Sequence, residues 1–388
     1  MSDWQEMSLN DIAHINPSES IGKGTSAKKV AMEFVQPFTK KIPGYSIEEY
    51  KGGMKFRNGD TLVARITPSL ENGKTAFVDI LDEGEVGFGS TEFIVLRARE
   101  NQATENFVYY LARSPEFRDI AILSMTGSSG RQRVQTDVVS NYLFDIPPLS
   151  EQKAITAVLA SLDDKIDLLH RQNKTLESLA QTLFRHWFID GAEDDWEAVT
   201  VGDFAQINAS TVQRNYEHDL IEYLDTGSIT EGKVSGFQQY TLKDAPSRAK
   251  RLVQHNDIVY STVRPNQRHY GIVKNPQPNL VVSTGFCVIT CDKIDPHFVY
   301  ILLTQPDMTE YLHSIAEGST SAYPSLKPSD IASLEFQLPP KRRLDMFSTI
   351  AQSCWEKIDR NSSQIRTLEN LRDTLLPKLM SGEVRVRL

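Results

Sequence analysis

The chain repeats itself once, and this duplication limits its possible folds more than any other feature. The segment DWQEMSLNDIAHIN at 3–16 aligns with DWEAVTVGDFAQIN at 195–208, which lies 192 residues later. Further blocks align in the same order: FRNGDTLVARITP (56–68) with VQHNDIVYSTVRP (253–265), GSTEFIVL (89–96) with VSTGFCVI (282–289), FVYYLARSPEF (107–117) with FVYILLTQPDM (298–308), and TLESLAQTL (175–183) with TLENLRDTL (367–375). The sequence therefore predicts two copies of one structural unit.

Each copy is predicted to contain a globular domain followed by one long helix. Short strands such as GDTLVARI and EFIVLRA alternate with a helical segment, ATENFVYYLARS, and the last strand ends at a double proline. Proline cannot continue a strand ladder, because it lacks the N–H donor. The expected fold class is α+β, with two tandem mixed α/β domains and two long helices. The predicted boundaries are 1–148 and 191–338 for the domains, and 149–190 and 339–388 for the helices, the last with a C-terminal tail.

Both predicted helices carry apolar positions spaced three and four residues apart, as in a coiled coil. Ser150 is the expected N-cap of the first helix, and each helix is expected to have about 38 residues, or roughly 57 Å. The seam positions are Leu159, Leu162, Ile166, Leu169, Asn173, Leu176, Ala180 and Leu183 in the first helix, and Ala351, Cys354, Ile358, Asn361, Ile365, Leu368, Arg372 and Leu375 in the second. Two ordinary core helices are the alternative. The pattern favours one antiparallel coiled coil that separates the domains by a fixed distance.

An antiparallel pair related by a twofold axis has a fixed register, which can be written from the residue numbers. Facing positions have numbers that add to 534, which places Asn173 opposite Asn361. The same register pairs Ile166 with Leu368, Leu169 with Ile365, and Leu176 with Ile358. A buried polar pair can fix register at some cost in stability. The weak layer pairs Leu162 with Arg372, whose guanidinium is expected to turn outward.

Composition predicts a cytoplasmic protein, and the motifs predict no catalytic site. The net charge is −9, and only three cysteines occur, which indicates no disulfide framework. No apolar run is long enough to cross a membrane, and the polar N-terminal segment does not resemble a secretory signal. We find no phosphate-binding G-x-x-x-x-G-K-[ST] motif, no H-E-x-x-H, and no target-base motif of amino-methyltransferases. The sequence thus predicts no catalytic residue, no metal and no cofactor in this chain.

The order of these elements resembles a known family over the whole chain. The residues that carry the likeness are IPPLSEQKAI (146–155), the duplicated domains, and LENLRDTLLPKLMSGEV (368–384). They are similar to the DNA specificity subunits of type I restriction–modification enzymes. In that family each globular domain is a target-recognition domain that reads half of a split DNA sequence, and the helices dock two modification subunits. The second junction, PPKRRLDMF, departs from the family pattern and puts cations at a helix N-terminus, where they are disfavoured.

Polar loops at matched positions of the two domains supply candidate DNA contacts. Arginine can pair with guanine, and asparagine or glutamine with adenine, in the major groove. Small residues beside arginines can hold phosphates. The candidates are Arg65, Asn72 and Lys74 in ARITPSLENGKT; Arg264, Asn266, Gln267 and Arg268 in VRPNQRHYGIVK; Ser128, Arg131 and Arg133 in TGSSGRQR; and Ser319, Thr320 and Lys327 in EGSTSAYPSLK. An ordinary solvated loop is the alternative for each of them.

The resemblance also implies partners. Double-stranded DNA, two methyltransferase subunits and restriction subunits with ATP-dependent motor and nuclease activity are expected, with no membrane. S-adenosylmethionine, ATP and Mg²⁺ would be bound by the partner subunits. The acidic charge favours an alternative, a scaffold that carries two domains on a coiled-coil spacer and binds no DNA. A fused methyltransferase would need several hundred more residues with a cofactor motif.

Overall fold

The computed structural model describes residues 4–319 and 323–386 of the chain. It divides the chain into two compact units, Met1–Arg171 with Ser362–Leu388, and Gln172–Asn361. We call these unit 1 and unit 2. The division falls inside both long helices, so that each unit holds the beginning of one helix and the end of the other.

Unit 1 is built on three small sheets and the helices that cover them. Its strands are β1 (Gln5–Ser8), β2 (Ala13–Ile15), β3 (Ser26–Val30), β4 (Ser46–Glu49), β5 (Met54–Phe56), β6 (Thr61–Ala64), β7 (Thr75–Phe77), β8 (Gly87–Gly89), β9 (Phe93–Ala98) and β10 (Leu143–Ile146). Its helices are α1 (Leu9–Ile12), α2 (Glu105–Arg113), α3 (Pro115–Leu123), α4 (Thr136–Asn141) and the first part of α5 (Leu149–Phe184).

Two four-stranded sheets and one strand pair organise these elements. The strand orders are β2-β9-β6-β7, β4-β3-β8-β5 and β1-β10. Neighbouring strands are antiparallel except β3 and β8, which are parallel. Buried residues Phe107 and Tyr109 of α2 lie in one core cluster with Ile155 and Leu159 of α5. The strand β6, TLVA, is buried at every position, as the central strand of a covered sheet must be.

Unit 2 repeats this plan. Its strands are β11 (Glu197–Thr200), β12 (Ala205–Ile207), β13 (Leu220–Leu224), β14 (Ile229–Thr230), β15 (Lys233–Val234), β16 (Gln238–Thr241), β17 (Ala249–Leu252), β18 (Ile258–Ser261), β19 (Tyr270–Ile272), β20 (Leu280–Ser283), β21 (Phe286–Cys291) and β22 (Glu335–Leu338). Its helices are α6 (Val201–Phe204), α7 (Pro296–Thr304), α8 (Pro306–Glu317), α9 (Pro328–Ala332) and the first part of α10 (Lys341–Met380).

The sheets of unit 2 have the same strand order as those of unit 1. They run β12-β21-β18-β19, β16-β13-β20-β17 and β11-β22, and a hairpin of β14 and β15 is added. The predicted duplication and the α+β fold class are therefore confirmed. The offset between aligned blocks rises from 192 residues at 3–16 to 197 residues at 56–68, and the extra hairpin lies in the interval where it rises.

Residues that are identical in both copies hold the framework together. Asn16 adopts a left-handed backbone conformation with φ 51°, and Asn208 does so with φ 55°. The side chain of Asn16 accepts a hydrogen bond from the backbone N–H of Val95 at 2.9 Å, and Asn208 accepts one from Val288 at 3.0 Å. Asparagine tolerates this conformation better than most residues. These two asparagines therefore end β2 and β12 in the same way.

The double prolines separate a strand from a long helix in both copies, as the sequence predicts. Helix α5 begins at Leu149 and α10 at Lys341, and they have 36 and 40 residues. The expected N-cap at Ser150 is wrong, because the Pro148 carbonyl already accepts from the backbone N–H of Glu151 at 2.9 Å. Among the cations at the start of α10, Arg343 donates to the carbonyl of Gly191 at 2.9 Å.

Within each unit, the segments of α5 and α10 pack against each other in antiparallel order. In unit 1, buried Ile166 and Leu169 form a cluster with Ile365, and Leu368 packs against it. In unit 2, the Asn361 Nδ2 donates to Asn173 Oδ1 at 2.8 Å, the contact that the predicted register requires. Contacts that lie further along α5 thus involve residues nearer the start of α10, as an antiparallel pair requires.

One expectation for this seam is wrong. Arg372 does not turn outward but is 3% exposed. Its guanidinium donates to the buried carboxylate of Asp163 at 2.8 Å and to Asp373 at 2.9 Å. Asp163 also accepts from the Tyr110 hydroxyl at 2.7 Å. The sequence pattern assigned Arg372 to an apolar layer, but an acidic residue next to that layer holds it inside.

We predict that Arg372→Met lowers the free energy of unfolding by about 3–5 kcal/mol, because it leaves a buried carboxylate without its cation. Urea denaturation followed by circular dichroism measures the change. The control is Arg171→Met, which removes an exposed ion pair with Asp167, four residues earlier in α5. Such a pair contributes at most about 1 kcal/mol. Equal losses for the two variants would contradict the prediction.

Candidate nucleic-acid interface

The two candidate loops of unit 1, which are about 60 residues apart in sequence, lie side by side. The backbone N–H of Thr67 donates to the Gln132 carbonyl at 3.0 Å, and that of Val134 donates to the Arg65 carbonyl at 2.9 Å. An isolated β-bridge joins Ile66 to Arg133. The loops that follow β6 and α3 therefore form one surface, which sequence spacing alone did not show.

Glu92, which directly precedes β9, organises the arginines of this surface. Its carboxylate accepts from the Arg133 guanidinium, with Nη2 and Oε1 2.6 Å apart, and lies 3.5 Å from Nε of Arg65. The hydrogen bond from Arg133 holds the pKa of Glu92 below its usual range. The same contact raises the pKa of Arg133. Glu92 thus stays ionised and ties two different loops to one strand end.

The other candidates of unit 1 differ in how far their side chains are exposed to solvent. Asn72, Ser128 and Arg131 are exposed. The Lys74 ammonium is half-buried and donates to the backbone carbonyl of Met32 at 2.9 Å. Lys74 is therefore used inside the domain, whereas the other three present their side chains to solvent.

Unit 2 brings its two candidate loops together in the same way. The backbone N–H of Arg264 donates to the Pro324 carbonyl at 3.0 Å, and that of Leu326 donates to the Thr262 carbonyl at 2.7 Å. A β-bridge joins Val263 to Ser325, as Ile66 is joined to the equivalent loop of unit 1. The backbone contacts that join the two loops are thus the same in both repeats.

The side chains on the two surfaces are not conserved. A short 3₁₀ turn, Pro265–Gln267, is flanked by Arg264 and Arg268, both left-handed with φ 49° and 57°. The Arg264 guanidinium lies over the ring of Tyr323 at 4.8 Å. Arg268 donates to Glu231 at 2.7 Å, which raises its pKa. Asn266 and Gln267 are exposed at the tip of the turn.

The second loop of unit 2 contributes less charge. Ser319 is half-buried, and its backbone N–H donates to the Ala316 carbonyl at 3.2 Å. Lys327 is exposed and precedes α9, where its backbone N–H donates to Asp330 at 2.7 Å. Thr320 lies outside the described residues.

Three residues of these surfaces were missed from the sequence. Glu92, Glu231 and Tyr323 each contact a candidate arginine. A sequence pattern of cations and amides, which suit phosphates and base edges, does not single out acidic residues. Their partners lie on other loops, and only the fold shows which loops meet.

The described residues give no sign of a metal centre or of a membrane span. Within 4–319 and 323–386, no cluster of three or more His, Cys, Asp or Glu side chains could hold a metal ion. No helix in the same ranges is both long enough and apolar enough to cross a membrane. The candidate surfaces hold arginines, amides and hydroxyls, which are groups for binding rather than for covalent chemistry.

A family model described as type I restriction modification DNA specificity domain matches residues 1–178 and again 193–370. The specificity subunit of the type I restriction enzyme HindI from Haemophilus influenzae is 26% identical and aligns with 99% of this chain and 100% of its own length. The specificity subunit of the enzyme MjaIX from Methanocaldococcus jannaschii is 28% identical over 72% of this chain and 69% of its own.

A solved structure gives a fold-level match. The type I restriction–modification S subunit from M. genitalium superposes with a TM-score of 0.56 at 14% identity, and the alignment covers 97% of this chain and 96% of that one. At this identity the likeness concerns the fold. The duplicated architecture described above is thus one that a specificity subunit adopts.

We predict that Glu92→Gln loosens the candidate surface of unit 1. Without the carboxylate, amide hydrogen exchange of the 126–134 segment is expected to accelerate, because the Arg133 contact that ties it to the start of β9 is weakened. Hydrogen exchange with mass spectrometry measures this. In the wild type the ionic contact is complete above the ordinary carboxyl pKa of 4.5 and is lost as the pH falls through the lowered value.

Glu83→Gln, at an exposed carboxylate on a different loop, is the matched control and should leave exchange in 126–134 unchanged. The 317–327 loop of unit 2 is an internal reference, since Gly285 stands where the alignment places Glu92. Unchanged exchange in Glu92→Gln would show that the backbone bonds alone order the segment.

Proposed function

Because the chain belongs to the type I restriction–modification DNA specificity family, we propose that its two domains read the two halves of a split, asymmetric DNA sequence. The chain is the DNA-recognition component of such a system and not its catalytic part. The observation that supports two-part reading is the pair of candidate surfaces. In both units the same backbone contacts join the two loops, but the side chains that the loops present are different.

Different side chains on equivalent pairs of loops are what two domains need in order to read two unlike half-sites. In unit 1 the exposed groups are Asn72, Ser128 and Arg131, and in unit 2 they are Arg264, Asn266 and Gln267, followed by Arg268 in its ion pair. Base-edge contacts carry sequence information, whereas phosphate contacts position the protein. Divergence confined to such loops changes the sequence that is read without changing the fold.

Arg264 is the strongest candidate for a base contact. Its backbone is fixed by the hydrogen bond to Pro324 and its guanidinium by the ring of Tyr323, yet the residue is exposed. A pre-ordered arginine loses less entropy when it pairs with guanine. Arg65 and Arg133 are held by Glu92 and are assigned a positioning role. Ser128 and Arg131 are assigned to phosphates, as are Ser319 and Lys327.

The net charge of −9 makes local loops essential to this proposal. The field of the whole protein would repel DNA, so binding depends on basic groups at the surface itself and on partner subunits. Two methyltransferase subunits and the restriction subunits are the proposed partners. They would bring S-adenosylmethionine, ATP and Mg²⁺, and no cofactor is assigned to this chain.

The competing function is a scaffold that binds protein or ligand instead of DNA, which the acidic charge favours. Gel-shift assays of the chain with its modification subunit on genomic fragments separate the two. Sequence-selective shifts support DNA reading. Uniform absence of binding in the assembled complex would favour the scaffold.

We predict that Arg264→Ala changes base preference in one half-site only. The expected cost on the preferred sequence is about 1–3 kcal/mol if the contact is bidentate. Binding to a randomised DNA library by the complex with its modification subunits, followed by sequencing, measures the preference. The half-sites are expected to lie about one helical turn apart.

Arg268→Ala tests the neighbouring arginine, and Arg214→Ala is the charge-matched control at an exposed position outside both loops. Equal weakening on every sequence would identify a phosphate contact instead. If Arg264→Ala leaves both affinity and preference unchanged, this turn does not contact the bases.

We predict that Asn173→Leu combined with Asn361→Leu raises the free energy of unfolding but relaxes the register of the helix pair. The two amides bond each other in a partly buried seam, where a slip would leave an amide without its partner. The complex should then accept DNA sites with altered spacer length, which methylome sequencing detects. Asn173→Leu alone removes the hydrogen-bond acceptor and should lower the unfolding free energy by about 1–3 kcal/mol.

A further inference from the structure

Two ion pairs occupy matching positions in the two repeats, but their charges are exchanged. In unit 1, Glu151 at the start of α5 accepts from Arg385, which follows the end of α10, at 2.6 Å. In unit 2, Arg343 at the start of α10 donates to Glu193, which follows the end of α5. The repeat offset of 192 residues places Arg343 at the position of Glu151, and Arg385 at the position of Glu193.

The surroundings of the two pairs confirm that the positions are equivalent. The Arg385 guanidinium lies 5.5 Å from the ring centre of Trp4, and the Arg343 guanidinium lies 5.4 Å from that of Trp196. Trp4 and Trp196 are themselves 192 residues apart. One tryptophan platform is therefore kept in both repeats, while the cation on it comes from the end of a long helix in one unit and from the start of a long helix in the other.

Two further polar contacts join α5 to α10. Asp163 binds Arg372 at 2.8 Å in unit 1, and Asn173 binds Asn361 at 2.8 Å in unit 2. All four residues are at least partly buried. None of these contacts has a copy elsewhere in the chain, because the residue 192 positions away is of a different type at each of the four places.

Because equivalent positions are 192 residues apart, the residues that would face each other in a pairing of two copies of the same helix are known. In a pairing of α5 with a second copy of α5, Glu151 would face Glu193, Asp163 would face Ala180, and Asn173 would face Leu169. In a pairing of α10 with a second α10, Arg343 would face Arg385, Arg372 would face Trp355, and Asn361 would face Ile365. Each alternative therefore puts like charges together and leaves buried polar groups without partners.

We propose that these polar residues form a pairing code, by which the seam of each long helix binds the helix of the other repeat and rejects a second copy of its own. The apolar seam positions cannot make this distinction, since leucine and isoleucine layers fit all three pairings. Unpaired buried charges and like-charge contacts supply the discrimination. The partner that fits the α5 seam is accordingly a helix with the residues of α10.

The order of synthesis makes such a code useful. Helix α5 is complete about 160 residues before α10 begins, and domains generally fold from the N-terminus during synthesis. In that interval the other α5 seams on neighbouring nascent chains are the competing partners. A seam that rejects itself stays available for the helix that follows on the same chain.

Charge exchange in the full-length chain tests the code. Glu151→Arg with Arg385→Glu keeps an ion pair at its native place in unit 1, but gives both self-pairings opposite charges at that end. Arg343→Glu with Glu193→Arg likewise keeps the ion pair of unit 2 and gives both self-pairings opposite charges. All four substitutions together restore like charges in both self-pairings and keep both native pairs.

Each variant is unfolded in urea and returned to buffer at micromolar concentration, and monomer and dimer are counted by native mass spectrometry. Either double exchange is expected to raise the dimer association constant about tenfold, which corresponds to 1.4 kcal/mol. The fourfold variant is expected to return to the wild-type value. High salt should weaken the effect, because part of each pair is exposed.

The return in the fourfold variant distinguishes a code from simple destabilisation, which would grow with the number of substitutions. Equal dimer formation in all four proteins, or the most dimer in the fourfold variant, would overturn the proposal. Circular dichroism checks that each variant refolds. Should one double exchange fail to do so, the other is compared with the wild type, and an unchanged dimer fraction there also overturns it.

Discussion

Neither repeat completes its own core, and the rest of the structure depends on this constraint. The core of unit 1 contains Leu376 and Leu379 of α10 beside Ile155 and Leu159 of α5. The core of unit 2 contains Ala180 and Phe184 of α5 beside Phe347 and Ala351 of α10. Each long helix thus contributes buried residues to the cores of both units. Burial of apolar area in both units therefore links the folding of two domains whose described strands lie in separate sheets.

The pairing of these helices combines two kinds of interaction with different roles. Apolar layers such as Leu169 with Ile365 supply stability but little selectivity, because a similar layer forms in other registers. The contacts Asp163–Arg372 and Asn173–Asn361 cost desolvation and are satisfied in one register. The polar contacts therefore decide which helices pair and how they align, and the apolar contacts make that choice stable.

The sequence predicted much of this arrangement because duplication doubles every signal. The strands β6 and β18, the helices α2 and α7, and the double-proline junctions were all expected from aligned pairs of segments, and the structure contains them. The contact between Asn173 and Asn361 followed from residue numbers alone. A local pattern that occurs in both copies rarely arises by chance, and it therefore identifies an element of the shared framework.

What the sequence did not predict depends on residues that are distant along the chain. The outward turn expected for Arg372 was wrong, since Asp163 and Tyr110 surround it only after folding. The meeting of the 64–75 and 126–133 loops, and the role of Glu92 between them, likewise needed the fold. The assignment of individual loop residues to bases or phosphates remains a prediction, because exposure and ordering select candidates without identifying their ligand.

The two repeats have diverged at two places that serve different ends. At the loop surfaces the exposed side chains differ, whereas the backbone hydrogen bonds that join the loops are kept, as with Thr67 to Gln132 in unit 1 and Arg264 to Pro324 in unit 2. At the helix ends divergence exchanges the signs of an ion pair on a conserved tryptophan, so that Glu151 in one copy corresponds to Arg343 in the other. A chain with identical copies could pair with itself in every combination and would present two identical surfaces. The exchanged signs at the helix ends favour the pairing of α5 with α10 of the same chain over the pairing of either helix with a second copy of itself. A chain paired in this way folds as one molecule that carries one loop surface of each kind.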